Sequence, residues 1–75
     1  MSVYGVLLFY TTSAAMRAEK VLERAGVVGR LVPVPRHLSS DCGVALRFSW
    51  TDEKRVRALL ASARVEVAAV ARLEE

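Results

Sequence analysis

The chain runs twice through a strand–helix–strand pattern within 75 residues, and that repetition leaves few ways to fold. Tyr4 to Tyr10 is rich in β-formers and ends at Thr11-Thr12-Ser13, hydroxyl residues suited to capping a helix that follows. From Ser13 to Ala25 the residues Ala14, Ala18, Val21, Leu22 and Ala25 recur at helical spacing, with Arg17, Lys20, Glu23 and Arg24 on the other side. Gly26 is a natural stop. Val27 to Val34 reads as a second strand, interrupted by Gly29 and Arg30, and Pro33 suits only a sheet edge or a strand end.

The second pass is cleaner. Gly43 to Trp50 alternates, with Val44, Leu46 and Phe48 on one face and Ala45 and Arg47 on the other. Thr51-Asp52-Glu53 opens a helix whose Val56, Leu59, Leu60 and Ala63 form one buried stripe, leaving Lys54, Arg55 and Arg57 towards solvent. A last strand is expected from Val65 to Leu73, with a bulge or shifted register where alternation falters at Ala68-Ala69-Val70. The order βαββαβ predicts an α+β, ferredoxin-like split-βαβ sandwich: a four-stranded antiparallel sheet with two helices on one face. Right-handed crossovers make the first two strands parallel and insert the third, antiparallel, between them.

Length and composition predict one domain over residues 1–75 with a thin core, since a chain this short buries roughly 60 to 65% of its unfolded surface. A hydrophobic fraction of 53% suffices to fold without disulfide or metal, and a lone cysteine cannot form an internal disulfide. Nothing near Met1 resembles a secretory leader, and the longest apolar run, Val6 to Tyr10, is far below the ~20 residues needed to span a bilayer. A soluble cytoplasmic protein, with no membrane partner, is expected. The net charge of +3 is spread along the chain without a basic block, which argues against a nucleic-acid arm. RNA-recognition sheets share the βαββαβ order, but Val44 and Leu46 stand where their stacking rings should be, and only Phe48 matches.

The segment Pro33 to Gly43 holds both prolines, the only histidine and the only cysteine. Cys42 sits in polar surroundings before Gly43, which leaves room for close approach, and Arg36 is available to stabilise negative charge on sulfur. Its plain alternative is a small buried hydrophobe. Ser39 and Ser40 can donate hydrogen bonds to a sulfur anion, or, with Asp41, simply bond the loop backbone. His37 reads as a solvated side chain, and Cys42, His37 and Asp41 are too few for a structural zinc site. No metal and no cofactor are expected. The topology sets this loop beside Thr11, Thr12 and Ser13, where a helix start favours an anion such as a thiolate or hydropersulfide.

Pro33-Val-Pro-Arg-His-Leu-Ser-Ser-Asp-Cys-Gly, followed by Val-Ala-Leu-Arg-Phe, resembles the signature of the small bacterial sulfur/selenium carrier-like proteins, formerly a domain of unknown function. The opening strand, its Thr/Ser turn and the Ala-rich helix start within Ala14 to Lys20 are similar too, so the resemblance runs from about Tyr4 to Leu73. It implies that Cys42 holds sulfur or selenium, with Pro35, Arg36, Ser39, Ser40 and Gly43 shaping its loop. His37 occupies a slot where that family often has an acidic residue, so it inherits no role. The implied partners are a donor enzyme, such as a cysteine desulfurase or selenocysteine lyase, and an acceptor protein. The single thiol suits a non-enzymatic carrier, because no second cysteine is present to eject the cargo. The alternative reading is a non-catalytic ferredoxin-like interaction or regulatory module that binds a small ligand or pairs through a strand edge, two copies of the chain included.

Overall fold

In the computed structural model, residues 2–38 and 43–74 are described. They form β1 (Val3–Leu8), α1 (Thr12–Arg24), β2 (Gly29–Pro33), β3 (Val44–Ser49), one 3₁₀ turn at Trp50–Asp52, α2 (Glu53–Ser62) and β4 (Ala69–Glu74). The strands lie in the order β2-β3-β1-β4 with every neighbouring pair antiparallel, so β1 and β2 are parallel with β3 between them. This is the ferredoxin-like arrangement that the strand–helix–strand repetition predicts, and β2, with Pro33 at its end, lies at the sheet edge as expected.

Alternation along the strands divides the sheet into two apolar faces. On the helix side Leu7, Phe9, Leu46 and Phe48 meet Ala15, Ala18 and Leu22 of α1 and Val56 and Leu60 of α2. Full burial of such a side chain contributes about 1.5–3 kcal/mol each, so these residues dominate the stability. Phe48, the one residue that matched an RNA-stacking pattern, is 3% exposed and faces the helices. Ala15, absent from the predicted stripe, lies at its centre, and Ala14, Val21 and Ala25 flank it.

Both helices close in the same way. The Gly26 and Val27 amides donate to the Glu23 and Leu22 carbonyls, at 3.1 and 2.9 Å, with Gly26 in the left-handed region at φ 75°. The Arg64 and Val65 amides repeat the pattern onto Ala61 and Leu60, also at 3.1 and 2.9 Å, with Arg64 at φ 57°. These are Schellman closures, and the residue after each left-handed position, Val27 or Val65, is buried in the core. An arginine from the opposite helix completes each end: Arg55 Nη2 donates to the Ala25 carbonyl at 2.7 Å, and Arg17 Nη2 to the Ala63 carbonyl at 3.3 Å.

Three strand boundaries differ from expectation by two residues or more. β2 begins at Gly29 rather than Val27, because Val27 belongs to the closure of α1. β1 ends at Leu8; Phe9 continues into the core and Tyr10 turns outward. β4 begins at Ala69 rather than Val65, because Val65 closes α2 and the Ala68 amide donates to the Leu8 carbonyl at 2.8 Å. The β1–β4 register then runs unbroken from Leu8 opposite Ala69 to Val3 opposite Glu74. No bulge interrupts it, so the faltering pattern at Ala68-Ala69-Val70 marks the turn into the strand.

The second sheet face is covered by chain rather than by a helix. Val6, Leu8 and Ala45 are buried there, with Val34 and Leu38 of the segment after β2 packed against them beside Tyr4, Val32, Ala68 and Leu73.

Candidate functional site

Pro33 is the last residue of β2 and lies opposite Val44 at the start of β3. Between them the chain turns at once: the Leu38 amide donates to the Pro35 carbonyl at 3.0 Å. That bond closes a β-turn with Arg36 and His37 at its two corners, both exposed, and with Pro35 and Leu38 half-buried at its ends. The exposure of His37 agrees with its reading as a solvated side chain. Arg36 is held at a turn corner, so its guanidinium projects from a fixed point on the surface.

Leu38 fixes this turn to the body. Its side chain packs on the Val6, Leu8 and Ala45 cluster, so the first half of the loop lies against the sheet. Sequence reasoning did not single out Leu38. The signal was present, since an apolar residue amid Arg36-His37 and Ser39-Ser40-Asp41 has no use in a solvated turn.

Ser39, Ser40, Asp41 and Cys42, which include the thiol expected to carry cargo, lie outside the described residues. Gly43 is exposed, and among the described residues other than its chain neighbour no heavy atom lies within 4 Å of where a Cβ would stand.

The helix start lies at the same end of the sheet. Leu8, the last paired residue of β1, is opposite Ala45, two residues beyond Gly43, and Thr11 follows Leu8 by three. Thr11 is the N-cap of α1: its Oγ1 accepts from the Ala14 amide at 3.1 Å. Thr12 and Ser13 form the exposed opening of the first turn, which holds no acidic residue, so the positive end of the helix dipole is not neutralised from within. Thus Gly43 and the Thr11–Ser13 start share one end of the molecule, while Arg36 and Pro35 are held by the turn on the covered sheet face.

These features define a ferredoxin-like α+β sandwich whose β2–β3 connection is anchored over the face opposite the helices. Residues 4–72 match the family described as "Putative Se/S carrier protein-like", and the match takes in the whole Pro33–Gly43 segment. The chain belongs to that family, the one its sequence resembles. No curated protein and no solved structure matches it. A carrier, by its nature, meets a donor and an acceptor. Among the described residues no helix is long and apolar enough to cross a membrane.

Proposed function

We propose that the protein carries sulfur or selenium covalently on Cys42, as a persulfide or a selenosulfide. The observation that carries this reading is the family match over residues 4–72 in a chain with one cysteine, which lies inside the matched segment. In the loading step the Cys42 thiolate attacks the terminal sulfur of a donor persulfide. A new S–S bond forms to Cys42, the donor's S–S bond breaks, and its electron pair leaves on the donor cysteine. Unloading is the same exchange onto an acceptor thiolate. Arg36 at its turn corner and the start of α1, whose own first turn holds no acidic residue, support the anionic forms of sulfur, and the exposure of Gly43 supports access by a partner.

The test is incubation with a cysteine desulfurase and cysteine, followed by intact mass under non-reducing conditions. A one-sulfur adduct on the wild type, absent from Cys42→Ala, is the expected result. No adduct, or the same adduct on Cys42→Ala, refutes the reading. A parallel reaction with a selenium donor distinguishes the two cargoes.

A further inference from the structure

α1 carries Arg17, Lys20 and Arg24 along one stripe, at the i, i+3, i+7 spacing that sets side chains above one another on a helix, and all three are exposed. Like charges at such spacing destabilise a helix. The fold adds to the crowding rather than relieving it. Arg55, near the start of α2, donates to Ala25 at the end of α1, and Arg17, near the start of α1, donates to Ala63 at the end of α2. The helices therefore run antiparallel, and four exposed cations gather along their outer seam. We infer that this seam docks an acidic helix of a partner protein.

Three observations favour a partner over a solvated basic face. First, the charges are uncompensated: the Lys20 and Arg24 side chains make no ion pair or hydrogen bond with any described residue, and Arg17 and Arg55 bond only to neutral carbonyls. Second, the carboxylates of the helix layer are engaged or placed elsewhere. Glu53 pairs with Arg57, Glu19 and Glu23 line a different cavity beside Gly26 and Val28, and Asp52 makes no ion pair with any of the four cations. Third, the described residues Arg17, Lys20, Val21, Arg24 and Ala63 line a shallow groove of about 310 Å³, with no carboxylate among them. Val21 and Ala63, both half-buried, give it an apolar floor.

Spacing selects the occupant. Arg17, Lys20 and Arg24 are separated along the axis by about 4.5 and 6 Å, at a helical rise of about 1.5 Å per residue. Carboxylates at i, i+3 and i+7 of a second helix laid along the groove repeat with the same period, so each can meet one cation while small apolar residues between them cover Val21 and Ala63. The described lining holds no aromatic ring on which a base could stack, which favours an acidic protein over a single-stranded nucleic acid.

Titration by ¹⁵N–¹H NMR at low, constant ionic strength tests this. No sulfur donor is added, so the result is read apart from the loading test. The probe is an Ala-based helical peptide with glutamates at i, i+3 and i+7 on one face. Its controls are the same peptide with glutamine in their place, a peptide with the same glutamates dispersed around the helix, and a single-stranded oligonucleotide. Saturable shifts at Lys20, Val21, Arg24 and Ala63 with the one-faced peptide are expected, with weaker binding of the dispersed peptide and none of the glutamine peptide. Lys20→Gln/Arg24→Gln should weaken binding about tenfold or more, whereas Arg30→Gln/Lys54→Gln, which removes the same charge from exposed positions elsewhere, should weaken it less. Shifts that do not saturate, equal binding of the dispersed or glutamine peptide, or equal losses in the two double variants overturn the proposal. Tighter binding of the oligonucleotide through the same residues overturns it as well, in favour of a nucleic-acid surface.

Discussion

The ring of Phe48 fills the space that a side chain at Gly5 would need. A Cβ placed on Gly5 would lie 2.6 Å from Phe48 Cε1 and 2.8 Å from Cε2, and closer still to Cζ. The two residues are direct partners across β1 and β3, so neither strand can slide to relieve the clash. Gly5→Ala should destabilise the fold by about 1–3 kcal/mol through overpacking, read as a lower denaturant midpoint. Adding Phe48→Leu to Gly5→Ala should recover part of the loss, although Phe48→Leu alone is destabilising. Equal stability of Gly5→Ala and the wild type would show that the ring moves aside freely.

Arg64 holds a left-handed backbone at φ 57° in the position where Gly26 closes the other helix. A side chain in that region costs about 1–2 kcal/mol, part of which glycine recovers. Arg64→Gly should therefore raise the melting temperature, by a stability gain of about 0.5–1 kcal/mol. Arg64→Ala keeps a Cβ and should bring no gain. A gain in Arg64→Ala as large as that in Arg64→Gly would place the effect in charge rather than backbone.

Leu38 pins the β2–β3 connection by packing on Val6, Leu8 and Ala45. Leu38→Ala should lower stability by about 1–2 kcal/mol, less than a fully buried leucine because Leu38 is half-buried. It should also speed tryptic cleavage after Arg36 by more than that global loss explains, as local opening of the turn becomes easier. Cleavage that tracks global unfolding alone would mean that Leu38 does not hold the turn down.

Arg55 and Arg17 cap the ends of each other's helices, at 2.7 Å to Ala25 and 3.3 Å to Ala63. Both bonds are at the surface, so Arg55→Ala should cost about 0.5–1.5 kcal/mol and Arg17→Ala less, in line with its longer bond. Amide hydrogen exchange should show the loss locally. Val27 should lose protection in Arg55→Ala, and Val65 in Arg17→Ala.

The fold was legible because its signals are local. The Val44–Phe48 alternation, the Thr11 cap and the Gly26 stop each name an element without knowledge of its neighbours. The start of β4 was misread because Val65 looks like a strand residue but serves the closure of α2, a role set by Leu60 and the core. Gly5 inside a strand was a signal of close approach, yet its partner Phe48 emerges only from the β1–β3 register. At the site, the exposure of His37 follows from residue type. The burial of Leu38 does not, since it joins residues far apart in the chain. The family match covers the predicted segment, while Ser39 to Cys42 lie outside the described residues.

The exchanged arginine caps give the chain an order of completion. The first strand–helix–strand half, once synthesised, still has an unfilled acceptor at Ala25, because Arg55 arrives only with the second half. The second half in turn draws on Arg17, already made and waiting. Neither half is finished alone, since each helix end gains its arginine donor only when the other half is in place.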